Sequence, residues 1–199
     1  MEKMLKENTA TVILIAANVL VFIILAIIGN TQDVEFMYSH GAMSAYGAMA
    51  EKEYWRFFTS MFLHFGPEHL LNNMLLLAVS SSYVEPELGH VRFSLIYVVS
   101  GILGSIISCV YMIYKASYSV SAGASGAIFG IVGALLYIVL IHKGSFSGIK
   151  LKGMILSVFL MLFLGITSTG VDNAAHIGGF VAGFLVATLT GLRRKKRED

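Results

Sequence analysis

Ser125 sits in the run Ser121-Ala122-Gly123-Ala124-Ser125-Gly126-Ala127-Ile128-Phe129-Gly130, a glycine-flanked turn leading into an apolar segment that ends at Ile141. Far along the chain His176 stands in Ala175-His176-Ile177-Gly178-Gly179, and His69 and Asn73 are spaced i, i+4. A serine hydroxyl is a poor nucleophile at neutral pH unless a base takes its proton, and a neutral imidazole within hydrogen-bond reach is the usual base. Ser125 as nucleophile and His176 as general base would therefore carry out acyl transfer. That chemistry also needs donors aimed at the developing oxyanion. The i, i+4 spacing puts His69 and Asn73 on one helix face, and the backbone N–H of Ser125, near a helix start, offers another donor. Asn72 points about 100 degrees away on the same wheel, so Asn73 is the expected partner.

Each of these signals has a plainer reading when taken alone. A Gly-x-Ser-Gly run is also a helix-packing motif, and a lone interfacial histidine such as His69 is readily satisfied by a carbonyl. His64, His69 and His176 could offer imidazoles to a metal, but the chain lacks His-Glu-x-x-His and any third-ligand spacing, so neither metal nor cofactor is expected. The single Cys109 lies in an apolar run, which leaves no disulfide framework and a packing role. Asp172, four residues before His176, reads as a solvated loop acid rather than the third member of a triad.

The elements that must position these groups are membrane helices. The 199 residues are 56% hydrophobic and 13% charged, with a mean hydropathy of +0.76, a balance that soluble domains do not show. Crossing about 30 Å of hydrocarbon at 1.5 Å per residue takes roughly 20 mainly apolar residues. Six segments qualify: Ala10–Ile28, His69–Tyr83, Phe93–Tyr114, Ser125–Ile141, Leu151–Ile166 and Ala174–Leu192. The first lacks a small-x-small cleavage signature and is read as a retained helix. The second and fourth look short, as though they begin inside the membrane beneath a water-accessible depression.

Lys and Arg number eleven on the inner face and three on the outer if both termini are cytoplasmic, the arrangement the positive-inside rule favours. The basic run Arg193-Arg194-Lys195-Lys196-Arg197 reads as a membrane-surface anchor rather than a nucleic-acid site. The connection from Asn30 to Glu68 holds Trp55 and the apolar run Phe57 to Phe65, too apolar for a free loop, and is expected as a partly immersed amphipathic element. No repeat or linker is evident, so one domain spanning residues 1–199, with a core near 55–187 and a short basic tail at 193–199, is expected.

With this topology the second, fourth and sixth helices all start at the outer face, so His69, Asn73, Ser125 and His176 share one depth. Polar groups at that depth are costly unless partnered and are functional candidates by default. Small residues recur every four positions at Ala122, Gly126, Gly130 and Ala134, and again at Ala175, Gly179, Gly183 and Ala187. Such ridges let two helix backbones approach, so Gly126 and Gly179 are expected to pack the dyad together. Phe129, one turn after the serine, could stack on His176.

These motifs together resemble those of the rhomboid family of intramembrane serine proteases, from about Trp55 to Ala187. Trp55-Arg56 resembles the family's Trp-Arg pair, and His64 with His69-x-x-x-Asn73 resembles its second-helix cluster. Gly123-Ala124-Ser125-Gly126 resembles the nucleophile motif, and Ala175-His176-Ile177-Gly178-Gly179 the base motif. The resemblance implies an all-α, six-transmembrane-helix bundle in which a Ser–His dyad hydrolyses peptide bonds in or near transmembrane segments of single-span membrane proteins, without cofactor. By the same resemblance, Glu85 and Arg56 are structural. Phe129 departs from the pattern, since the family often has tyrosine there. The main competing expectation is an inactive rhomboid-like protein that binds transmembrane clients; a transporter would need a polar path crossing the membrane. A prokaryotic plasma membrane is the expected location.

Overall fold

An unbroken apolar stretch forms the first long helix, α1 (Thr9–Ile28). The computed structural model describes residues 7–168 and 170–191; Lys3, Lys6, Leu192 and the basic run 193–197 lie outside the described residues. After α1 the chain runs through α2 (Val34–Ser39), β1 (Met43–Ser44), α3 (Ala45–Met49), α4 (Arg56–Thr59) and a 3₁₀ turn at Ser60–Phe62. Long helices follow as α5 (Gly66–Leu88) and α6 (His90–Tyr114), then β2 (Val120–Ser121) and α7 (Ser125–Ile141). A hairpin of β3 (Ser145–Phe146) and β4 (Ile149–Lys150) leads to α8 (Leu151–Thr167) and α9 (Asn173–Thr190).

Every expected segment coincides with a long helix, with one correction of substance. The second was expected to be short and to begin at His69, but α5 has 23 residues and begins at Gly66. Gly66 takes φ +80° and Pro67 occupies the first turn, where its missing N–H costs nothing, and Glu68 complements the helix dipole. At the far end Pro86 lies within the last turn, and Gly89 at φ +80° closes the helix.

Among the described residues, α1, α6 and α9 are long and apolar enough to cross a membrane, and α7 and α8 are shorter apolar helices. Apolar side chains cover much of the exterior: Ile13, Leu20 and Ile27 on α1, and Phe159, Leu164 and Ile166 on α8, are all exposed. Such a surface is solvated by lipid rather than water.

The interior lies where α5, α6, α7 and α9 converge. Leu77, Val84, Phe93, Ile96, Tyr97, Ile128, Ile131 and Ile138 are fully buried there. Beside them, α8 is loosely applied: only Met154 and Gly165 of its side are buried. An apolar cavity of about 240 Å³, lined by Leu136, Met154, Ile155, Val158 and Phe180, separates it from α7 and α9.

Two buried ionic groups fix the remaining elements. Glu85 accepts hydrogen bonds from the backbone N–H groups of Ala10 and Thr11 at 2.7 and 2.8 Å, from the Thr11 hydroxyl, and pairs with His90. One carboxylate thus satisfies the open N-terminus of α1 from the end of α5. In the 30–65 connection, buried Arg56 donates to the carbonyls of Tyr38 and Ala42 and to Glu53, and its guanidinium lies over the Tyr38 and Trp55 rings. The connection is therefore folded as short helices and turns, with Met37, Met43, Met61 and Leu63 buried.

Candidate active site

The turn that carries Ser125 is stitched to the 30–65 connection. Gly123, at φ +139°, donates its N–H to the Ser60 carbonyl at 2.9 Å, and Ala124 donates its N–H to His64 Nε2 at 3.4 Å. Upstream, β2 pairs antiparallel with β1, placing Ser121 opposite Met43. Ser125 then opens α7 as its first residue, where backbone N–H groups lack helical acceptors. The sequence offers His64 as a possible metal ligand and as part of the resembling cluster; its grip on Ala124, and that of Ser60 on Gly123, pass through backbone groups that no side-chain pattern reports.

Opposite this turn, His176 lies in the first turn of α9 and is buried. Its Nε2 stands 2.9 Å from Ser125 Oγ. The Phe129 ring lies flat on the imidazole, with centroids 4.2 Å apart and planes inclined by 8°. His176 Nδ1 is buried without a hydrogen-bond partner among the described residues, so stacking and backbone position hold the ring.

The two small-residue ridges bring these helices into backbone contact. A Cβ on Gly179 would overlap the Gly126 carbonyl oxygen, and one on Gly183 would overlap that of Gly130. A third helix joins them, which the ridges did not signal: a Cβ on Gly104 of α6 would come within 2.8 Å of the Ala175 carbonyl oxygen. Helix α9 is consequently held between α6 and α7 just where it carries His176.

His69 faces the same turn from α5, and Asn73 lies one helical turn further along that helix. The Phe65 N–H donates to His69 Nδ1 at 3.3 Å; with Nδ1 accepting, the neutral ring carries its proton on Nε2. A Cβ at Gly123 would lie 2.9 Å from that Nε2, so the imidazole edge lies directly against the serine turn. Asn73 is buried and its Nδ2 donates to the His69 carbonyl at 2.9 Å, whereas Asn72 is exposed.

One residue near His176 is placed differently from expectation. Asp172 is not a solvated loop acid: it is half-buried, caps α9 by accepting from the Ala175 N–H at 3.0 Å, and accepts from the hydroxyls of Ser108 and Ser121. No local spacing signals this, because both hydroxyls come from distant elements. Asn173, three residues before His176, donates its Nδ2–H to the Leu162 carbonyl of α8 at 3.1 Å.

Comparison with known proteins gives the family. Residues 51–193 match the Rhomboid domain, and the chain belongs to the rhomboid family of integral membrane proteins. It is 39% identical over 186 residues to Rhomboid protease GluP of Bacillus subtilis (strain 168), a match covering 94% of this chain and 36% of that protein. It is 40% identical over 151 residues to RHOMBOID-like protein 7 of Arabidopsis thaliana, covering 75% of this chain and 47% of that one. RHOMBOID-like protein 2 of the same plant is 40% identical over 147 residues, 72% of this chain and 44% of its own length. The chain thus spans less than half the length of each of these relatives.

Proposed function

We propose that the protein is an intramembrane serine protease that hydrolyses peptide bonds in or near transmembrane segments of other membrane proteins through a Ser125–His176 dyad. The observation that carries this reading is the 2.9 Å separation of Ser125 Oγ and His176 Nε2 at the junction of two helices whose backbones touch. Family membership, and a relative named as a protease, support the reaction class.

In this reading His176 Nε2 takes the hydroxyl proton as Ser125 Oγ bonds to the substrate carbonyl carbon, and the carbonyl electron pair moves onto oxygen. His69 Nε2–H and the Ser125 N–H donate to that oxyanion. Asn73 joins them by turning its amide from the His69 carbonyl. Preorganised donors of this kind are worth about 2.7–4 kcal/mol each. The imidazolium then protonates the leaving amide nitrogen as the C–N bond breaks, leaving an acyl-enzyme. Water, deprotonated by His176, attacks the ester and restores the serine.

We further read the six long helices as one six-helix transmembrane domain with both termini cytoplasmic, so that Ser125 and His176 lie below the outer surface. The exposed Tyr46, Tyr54, Trp55 and Phe58 of the 30–65 connection would then anchor it in the outer interface. Single-span membrane proteins are the proposed substrates. The loose packing of α8 over an apolar cavity favours lateral entry from lipid past this helix. A prokaryotic plasma membrane fits the topology. Co-expression with a panel of single-span reporters tests the reading: cleavage by the wild-type protein and none by Ser125→Ala is expected. A panel cleaved equally by both would overturn it, and a protein that binds the reporters intact would be a client-binding homologue.

A further inference from the structure

Four residues before each member of the dyad stands a residue of a second pair. Ser121 precedes Ser125 and Asp172 precedes His176, and the Ser121 hydroxyl donates to Asp172 Oδ2 at 2.6 Å. The same oxygen accepts from the Ser108 hydroxyl of α6, which is buried. The other carboxylate oxygen accepts the Ala175 N–H at 3.0 Å, and the Asp172 carbonyl accepts the His176 N–H at 3.1 Å. The carboxylate therefore joins the approach to the nucleophile turn, helix α6 and the first turn of the base helix. Ser121 is itself fixed by the β1–β2 ladder.

We propose that Asp172 is a positioning residue, which through Ser108, Ser121 and the capped N–H of Ala175 sets where the first turn of α9 places His176 Nε2 against Ser125 Oγ. The inference rests on the Ser125–His176 reading above. Its physical basis is that His176 has little else to orient it: Nδ1 is unpartnered among the described residues and the ring is held by a stack. A stack fixes the plane of a ring but leaves it free to slide within that plane, so in-plane position must come from the backbone. Hydrogen bonds to a charged acceptor are the stronger kind, and three of them converge on this carboxylate from separate elements. Asp172 touches neither substrate nor the reacting atoms and works only through α9.

The test is the rate at which purified protein in lipid nanodiscs is labelled on Ser125 by a fluorophosphonate, read beside kcat and KM for a cleaved reporter. Asp172→Ala is expected to slow labelling and lower kcat by roughly 10- to 100-fold with KM within about twofold, as misplacement of a catalytic group by about 1 Å would do. Asp172→Asn keeps an acceptor for Ala175 and can donate to both hydroxyls, so it is expected to recover labelling to within about threefold of wild type. Ser121→Ala combined with Asp172→Ala should be no slower than Asp172→Ala alone, since both remove one link. Wild-type labelling rates in folded Asp172→Ala protein would overturn the proposal and leave the dyad standing. Failure of Asp172→Asn to recover, or a loss seen only in KM, would also overturn it. A wild-type protein that neither labels on Ser125 nor cleaves would overturn the dyad reading and this inference with it.

Discussion

Gly179 of α9 and Gly126 of α7 meet backbone to backbone, so that a Cβ on the first would overlap the carbonyl oxygen of the second. The relation is not symmetrical. A Cβ on Gly126 would meet the Ala175 carbonyl oxygen at 3.5 Å and the Ala175 Cβ at 3.7 Å, ordinary contact distances. Gly179→Ala should therefore force the helices apart, lowering stability by about 1–3 kcal/mol as overpacking does and activity by roughly 10²-fold as the dyad separates. Gly126→Ala should leave both within a small factor of wild type, while Gly126→Val should not. Thermal denaturation in detergent and reporter cleavage, measured on the same preparations, check the contrast.

Phe129 gives the His176 imidazole a flat partner in place of a hydrogen bond to Nδ1. Phe129→Leu keeps apolar volume and removes the ring face. Loss of an aromatic pair is worth about 0.5–1.5 kcal/mol, so kcat should fall roughly two- to tenfold. Phe129→Tyr keeps the stack and should stay close to wild type. Steady-state kinetics of the two variants decide the point.

His69 and Asn73 are expected to act on the transition state rather than on bound substrate. Replacing either by Ala should lower kcat by roughly 10²–10³-fold with KM little changed, and Asn72→Ala, an exposed neighbour, should be mild. A large rise in KM at unchanged kcat would reassign the pair to substrate positioning.

Much of this arrangement is legible in the sequence, because lipid simplifies the code. Apolar length marks α1, α6 and α9, small residues at every fourth position mark the α7–α9 contact, and polar residues stand out where they are costly. What escaped sequence reading rests on backbone groups and on long-range hydroxyls. Gly66 and Pro67 extend α5 by a turn beyond His69, a boundary set by local turn chemistry rather than hydropathy. Ser60 and His64 hold the serine turn through N–H groups, which carry no side-chain signature. Asp172 looked like a loop acid because its partners Ser108 and Ser121 are 64 and 51 residues away.

A serine below the membrane surface cannot reach a peptide bond locked in a regular helix, where the carbonyl is hydrogen-bonded and shielded by side chains. Substrates should therefore carry Gly, Pro or other helix-weakening residues in the outer part of their span, with a small residue such as Ala on the acyl side of the cut, as the family resemblance implies. One cleavage sequence placed in a Leu-rich helix and in a Gly/Pro-weakened helix should be cut only in the second, with the cut mapped near the outer end by mass spectrometry. Equal cleavage of both, or cuts at the inner end, would contradict the proposed depth.

The most direct measurement of the central claim is the turnover of a purified single-span substrate by reconstituted wild-type, Ser125→Ala, His176→Ala and doubly substituted protein, with folding verified for each. The account predicts that either single substitution abolishes cleavage and that the double one is no worse, because the two side chains act as a unit. Near-wild-type turnover by folded Ser125→Ala protein would contradict it.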